Sequence, residues 1–238
     1  MSAPKTAMVL AAGLGTRMRP LTDETPKALV QVGGKALIDH TLDRLGEAGV
    51  ETAVVNVHHF ADQLVEHLGR RVFPRVLISD ERAGLLDSGG GIAHAADKLG
   101  TDPIWIANID NVWIERGGSA LGALAQAWDP DAMDICILLA ARADCYGYER
   151  PEGFVRDESG RLTHSTNPDP LPPYNNIGFQ LLKPEVLGGQ TGSFSVVPIW
   201  KRLSAEGRLF GAVTDARIIH VSDPAGVDAA DAALAEEK

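Results

Sequence analysis

Short, almost wholly apolar runs recur along the first part of the chain, separated by stretches whose apolar residues return every three or four positions. Ala7-Met8-Val9-Leu10 and residues 53–57, 75–78, 103–107 and 134–140 read as buried strands. Between them, residues 35–48 carry Leu37, Ile38, Leu42, Leu45 and Ala48 at helical spacing and stop at Gly49, which predicts an amphipathic helix. Residues 61–68, 92–99 and 119–128 predict further helices. Strands alternating with helices at this spacing predict crossover connections, a mainly parallel sheet and hence an α/β fold.

The pattern changes after residue 150. Residues 153–156 and 161–164 alternate around Asp157-Glu158-Ser159-Gly160, which predicts a β-hairpin. Residues 167–173 are polar and proline-rich, hence a loop or lid. Residues of about 145–175 therefore read as a small β subdomain inserted into one domain spanning 1–238. Beyond it, residues 194–203 predict a helix, 209–213 and 218–221 a hairpin around Asp215-Ala216-Arg217, and 227–238 an Ala-rich helix.

The length of 238 residues and a hydrophobic content of 45% suit a single large domain with its own core. No apolar run approaches a membrane span and the start of the chain lacks a signal-peptide core, so the expectation is a cytoplasmic protein without membrane contact. Cys136 and Cys145 lack Cys-x-x-Cys spacing and read as reduced structural thiols. His58 and His59 have no partner at ligand spacing and read as structural. A formal net charge of -10 argues against nucleic acid as a partner.

Against that acidic background one loop is cationic. Ala11-Ala12-Gly13-Leu14-Gly15-Thr16-Arg17-Met18-Arg19-Pro20-Leu21-Thr22, closed by Pro26-Lys27, carries Arg17, Arg19 and Lys27 and no acid before Asp23. It follows the first strand, the place where open α/β sheets bind ligands. Gly13 and Gly15 let the backbone turn with positive φ and direct N–H groups at an anion. A dinucleotide fingerprint would need glycine at Met18, and the Gly-Lys-Ser/Thr of a Walker loop is absent. A second glycine-rich stretch, Gly84-Leu85-Leu86-Asp87-Ser88-Gly89-Gly90-Gly91, reads as a turn entering the helix at Ile92, with Ser88 able to cap it and the glycines allowing close approach of a flat ligand. Asn108-Ile109-Asp110 ends a strand, where a carboxylate can share Mg²⁺ with phosphates.

The match at Gly13, Gly15, Thr16, Arg17, Pro20, Leu21, Thr22, Pro26 and Lys27 resembles the G-x-G-T-R-x-x-P-L-T…P-K signature of nucleotidyltransferases that couple sugar 1-phosphates to nucleoside triphosphates. The resemblance runs from Ala7 to about Ala233. It implies a Rossmann-like three-layer α/β/α architecture of GT-A-like type, with a mixed, mainly parallel central sheet. It also implies a Mg²⁺-dependent reaction of a nucleoside triphosphate with a sugar 1-phosphate. Arg17, Lys27 and Asp110 take the catalytic roles: Arg17 on the β and γ phosphates, Lys27 on the α-phosphate side and Asp110 on the metal. Ala11, Ala12, Gly13, Gly15, Thr16, Asp87, Ser88, Gly89, Gly90 and Asn108 would line the nucleotide. Tyr174-Asn175-Asn176-Ile177-Gly178 resembles the family's N-A-G-I stretch, which puts Asn176 and Gly178, with Glu152, beside the sugar.

Two positions depart from the family's metal motif. Ile109 replaces a glycine and is expected to crowd the backbone near the phosphates, and His220 stands where a second metal-binding Asp is usual. Imidazole is a poor Mg²⁺ ligand, so His220 holds a metal-bound water, binds the metal in a softer site, or marks a weakened one. Within the family, the chain most resembles bacterial N-acetylmuramate-1-phosphate uridylyltransferases of cell-wall recycling. Mannose-1-phosphate guanylyltransferases are the alternative, and phosphocholine cytidylyltransferases fit less well because aromatic residues are only 5%. With no Glu-Lys-Pro motif, a catalytically weakened regulatory paralogue that binds nucleotide sugars also stays open, as does the choice of monomer or homodimer.

Overall fold

A computed structural model describes residues 3–149 and 151–237 of the chain; Lys238, at the end of the last expected helix, lies outside the described residues. In chain order the elements are β1 (Thr6–Leu10), β2 (Gln31–Val32), β3 (Lys35–Ala36), α1 (Leu37–Glu47), β4 (Thr52–Val57), α2 (Ala61–Leu68), β5 (Arg75–Asp80), α3 (Asp87–His94), α4 (Ala96–Leu99), β6 (Ile104–Asn108), β7 (Asn111–Ile114) and α5 (Ala120–Ala127). They continue with β8 (Ile135–Ala141), β9 (Cys145–Tyr146), β10 (Gly153–Arg156), β11 (Leu162–Ser165), β12 (Tyr174–Leu182), α6 (Val197–Ala205), β13 (Leu209–Thr214), β14 (Arg217–His220) and α7 (Pro224–Glu236).

Nine strands form one mixed sheet. β5, β4, β1 and β6 lie parallel in that order, β12 runs antiparallel between β6 and β8, and β13 is parallel to β8. The β10–β11 hairpin joins this sheet where Phe154 pairs with Tyr174. Side chains alternate across the sheet because successive Cβ atoms of a strand point to opposite faces. Ala7, Val9, Val55 and Ala107 share a core with Ile38, Leu42 and Leu45 of α1, Leu64 of α2 and Leu124 of α5. Met8, Val54, Ile104 and Ile106 share the other with Ile92 of α3, Leu99 of α4, and Ile199 and Leu203 of α6. Helices thus cover both faces, which is the three-layer arrangement. A third cluster, with Met18, Val112, Ile219 and Ala230, seats α7 against β7, β14 and the first loop.

Several elements differ from expectation. α1 begins at Leu37 because Lys35 and Ala36 pair with Gln31 and Val32. Gly89, Gly90 and Gly91 lie inside α3 rather than in a turn before it, and Ser88 does not cap that helix. α6 begins three residues later than expected, at Val197. β13 and β14 form no hairpin: β13 pairs along its length with β8, while β14 joins β7 and β9 in a separate small sheet. Local periodicity marks a strand but not its partner, and only Asp215 and Ala216 separate these two.

Candidate active site

Beyond Leu10 the chain leaves the carboxyl edge of the parallel strands as the cationic loop. Ala11 and Ala12 are buried, and their N–H groups donate to Asn56 Oδ1 at 2.6 and 3.1 Å. The amides of these two residues are thus engaged inside the protein. The amides of Gly13, Leu14 and Gly15, by contrast, donate to nothing among the described residues. Gly13 has open space where a Cβ would point. Gly15 is left-handed at φ 64, and a Cβ there would lie 2.9 Å from Lys27 Cβ, so Lys27 packs directly on the turn. The Gly15 carbonyl accepts from Met18 N–H at 2.9 Å and from the Thr22 hydroxyl at 2.8 Å. The start and the Pro26-Lys27 end of the motif are therefore one packed unit.

The cations separate into two kinds. Arg19 forms an exposed pair with Asp23 at 3.4 Å, whereas Arg17, exposed beside Thr16, has no hydrogen bond or ion pair among the described residues. Lys27 reaches across the site and donates to Asp110 Oδ2 at 2.9 Å. His220 Nε2 is 3.6 Å from the same oxygen, beyond hydrogen-bond length, and neither ring nitrogen of His220 has a hydrogen-bond partner among the described residues. Burial by itself would raise the Asp110 carboxyl; Lys27 first and His220 second outweigh it and hold the group well below the usual carboxylate range. Tyr148 packs tilted against the His220 ring, with centroids 5.0 Å apart, and donates to Asn111 Oδ1 at 2.6 Å. Burial, with the charge of Asp110 adding to it, pushes the Tyr148 hydroxyl well above its ordinary value.

Ile109 does not crowd this site. Its side chain is buried in the core that also holds Val9, Ala11 and Phe179. Asn108 meets β12 instead: Gly178 has φ 82, and a Cβ there would come within 2.9 Å of Asn108 Cβ. Gly178 N–H donates to Asn176 Oδ1 at 2.8 Å, and the register of β12 shifts between Asn176 and Gln180. The stretch expected beside the sugar is thus an irregular part of the longest strand, and the Asn176 carbonyl oxygen is already engaged in shaping it.

The glycines of α3 also receive a different reason from the one expected. A Cβ on Gly89 would lie 2.4 Å from the Phe194 ring, one on Gly90 2.3 Å from the Gly192 carbonyl, and one on Gly91 3.0 Å from both Asn56 Nδ2 and Glu81 Oε1. Gly90 N–H donates to Phe194 O at 3.0 Å, and Ser88 Oγ accepts from Val196 N–H at 3.1 Å. The close approach at Gly89 and Gly90 is therefore made by the chain's own 192–196 segment, not left for a flat ligand. Asp87, exposed and also at positive φ, stays at the open end of α3.

A cavity of ≈ 540 Å³, within the range of small-molecule sites, opens beside the loop. Arg17, His220, Tyr148, Glu152 and Asn176 line it, together with a wall of Phe154, His164, Val197 and Trp200. Trp200 is fixed by its indole N–H donating to Gln180 Oε1 at 3.1 Å, and Phe154 packs edge-on against it. Arg17, His220, Glu152 and Asn176 thus line one cavity, with Asp110 next to His220 and paired with Lys27, while Gly89 and Gly90 are buried under Phe194 and Gly192.

Tyr148, Asn111 and Asn56 are the residues here that periodicity did not single out. Asn56 carries a signal that could have found it: a polar residue inside the apolar run of β4.

Among the described residues no group of three His, Cys, Asp or Glu side chains is arranged to hold a metal ion. The donor chemistry nonetheless suits Mg²⁺ held through one protein carboxylate. Asp110 Oδ1 has no hydrogen bond or ion pair among the described residues, and this ion takes most of its ligands from phosphates and water.

Residues 7–152 match the MobA-like NTP transferase domain. The chain is 51% identical over 98% of both sequences to an N-acetylmuramate alpha-1-phosphate uridylyltransferase of Caulobacter vibrioides. It is 45% identical, over 44% of this chain and 46% of the other, to the protein of that name in Neisseria meningitidis. A UDP-glucose pyrophosphorylase structure from Acinetobacter baumannii superposes with a TM-score of 0.82 over 98% of this chain and 94% of the other, at 16% identity, a likeness of fold. No described helix is long and apolar enough to cross a membrane. On the match to residues 7–152 and the full-length identity, this chain belongs to the MobA-like NTP transferase family and is a nucleotidyltransferase.

Proposed function

We propose that the protein transfers the uridylyl group of UTP to N-acetylmuramate 1-phosphate, forming the UDP-sugar and pyrophosphate. The observation that carries this choice of substrates is the 51% identity, sustained over 98% of each chain, to the Caulobacter enzyme. In the reaction a phosphate oxygen of the sugar 1-phosphate attacks the α-phosphorus of UTP, the bond to the bridging oxygen breaks, and pyrophosphate leaves. Such transfers ask the protein for alignment and for positive charge where negative charge gathers.

The residues are suited to that task. The unpaired Arg17 and the amides of Gly13, Leu14 and Gly15 bind the leaving β and γ phosphates, and Thr16 lies between them. Lys27 exchanges Asp110 for the α-phosphate. Asp110, with His220 beside it, would hold Mg²⁺, which would supply positive charge to the phosphates. Asp87, Ser88 and Asn108 border the nucleoside. Glu152, Asn176 and Gly178 face the acceptor in the cavity, where Phe154 and Trp200 pack against the sugar.

The test is pyrophosphate release from purified protein with Mg²⁺, using UTP with N-acetylmuramate 1-phosphate, and GTP with mannose 1-phosphate for comparison. Turnover with the first pair and a much slower rate with the second is the expected result. Tight binding of the UDP-sugar without turnover on any pair would replace this proposal with a regulatory role.

A further inference from the structure

A buried amide and carboxyl lie beneath the first residues of the loop and hold none of the roles proposed above. Asn56 interrupts the apolar run of β4 and is 3% exposed, and Glu81, directly after β5, is 2% exposed. Asn56 Oδ1 accepts from both Ala11 N–H and Ala12 N–H, at 2.6 and 3.1 Å. Because both partners are donors, they fix which end of the amide is oxygen. The NH₂ end is left to donate to Glu81 Oε1 at 2.8 Å.

Glu81 is itself held in place. Its N–H donates to Val57 O at 2.8 Å, its carbonyl accepts from Gly84 N–H at 3.0 Å, and His58 Nδ1 lies 2.7 Å from that carbonyl. From above, Gly91 of α3 closes over the pair, with room for no Cβ that would not come within 3.0 Å of both polar atoms. One amide therefore ties the end of β1 to β4, β5 and α3. Filling the space needs no such pair, since apolar side chains occupy a core without the desolvation cost of buried polar groups. What the pair adds is a fixed position for two consecutive backbone amides, immediately before the three that remain free.

We infer that Asn56 and Glu81 are positioning residues for nucleotide binding: Glu81 orients the Asn56 amide, and Asn56 pins Ala11 and Ala12 so that Gly13, Leu14 and Gly15 present their N–H groups to the triphosphate. The inference rests on the nucleotide reading of this loop, not on the identity of the sugar.

Asn56→Asp, studied at pH 8, sets two carboxyl groups against each other. Calorimetric titration with UTP and Mg²⁺ should then show affinity weakened about tenfold, the size expected when a buried hydrogen-bond network loses a partner. KM for UTP should rise by the same factor, while KM for the sugar 1-phosphate stays unchanged. Adding Glu81→Gln restores a donor facing an acceptor and should return UTP affinity to within about threefold of the parent. If Asn56→Asp fails to fold, Glu81→Ala carries the same expectation, with faster hydrogen exchange at the Ala11 and Ala12 amides. Unchanged UTP affinity in the folded single variant, or no recovery in the double variant, overturns the inference. A parent protein that binds UTP but does not transfer to N-acetylmuramate 1-phosphate overturns the proposed reaction and leaves this inference standing; failure of the parent to bind UTP overturns both.

Discussion

Lys27 Nζ donates to Asp110 Oδ2 at 2.9 Å, so the cation proposed for the α-phosphate and the carboxylate proposed for the metal neutralise one another across the site. Both side chains are largely withdrawn from solvent, at 11% and 25% exposure, and Lys27 helps to hold the Asp110 carboxyl ionised there. The pair is a unit that phosphates and metal must divide between them.

Groups that act as a unit give non-additive losses. Lys27→Ala and Asp110→Asn should each lower turnover about 10²- to 10³-fold, the usual cost of removing one preorganised electrostatic contact. The double variant should lose about as much as the worse single variant rather than the product of both. Pyrophosphate release measured on all three checks this, and multiplicative losses would mean that the two residues work independently.

Arg17 offers a contrast because it holds nothing together. With no partner among the described residues, it can be removed without leaving a buried charge or an empty hydrogen bond. Arg17→Ala should therefore leave folding stability within about 0.5 kcal/mol of the parent, as surface changes do. Turnover should still fall about 10²- to 10³-fold, because an unpaired cation at the cleft has only the substrate to serve. Thermal unfolding and initial rates on the same preparation separate the two; a stability loss with normal turnover would count against any phosphate role for Arg17.

The Asp110 carboxyl ionises well below the ordinary 3.8 when folded, held there by Lys27 and His220 against the effect of burial. A depressed folded value means that stability is contributed above the unfolded value and lost as pH falls through the folded one. Asp110→Asn, which leaves Lys27 without its partner, should cost about 2 kcal/mol near neutrality, between the small worth of exposed pairs and the larger cost of breaking fully buried ones. That difference should shrink as the pH is taken well below 3.8. Asp43 and Asp134 are depressed too and weaken both proteins in acid, so the measurement is the gap between urea midpoints of parent and variant at each pH. A gap that is constant with pH would remove the ion pair from the account.

The first loop was legible in the sequence because its constraints are local: a left-handed Gly15, a carbonyl engaged within seven residues by Thr22, and Lys27 packed on the turn. The parallel strands and α2 were legible for the same reason, since burial and helical spacing repeat over a few positions. What escaped depends on chain far away. Nothing near Gly89 or Gly90 tells that Phe194 and Gly192 lie on them, so their glycines read as space for a ligand. Ile109 looked like crowding at a motif position, yet its side chain turns into the core. Asn176 sits in a β12 irregularity created by the contact of Gly178 with Asn108, a pairing that no window of sequence contains.

The packing of the 192–196 segment on α3 leads to a last prediction, in which two effects of opposite sign compete. Replacing a glycine inside a helix by alanine gains about 1 kcal/mol of helix propensity. At Gly90 the new methyl would lie 2.3 Å from the Gly192 carbonyl, and a backbone oxygen cannot rotate aside. At Gly89 the nearest atoms belong to the Phe194 ring, 2.4 Å away, which can turn. Overpacking of this kind costs about 1–3 kcal/mol, so Gly90→Ala should be net destabilising and worse than Gly89→Ala. Adding Phe194→Ala should relieve part of the Gly89→Ala loss, by making room for the methyl, and none of the Gly90→Ala loss. Thermal unfolding of the four variants decides it: a Gly90→Ala protein more stable than the parent would show that helix propensity wins and that residues 192–196 do not lie on α3 in solution.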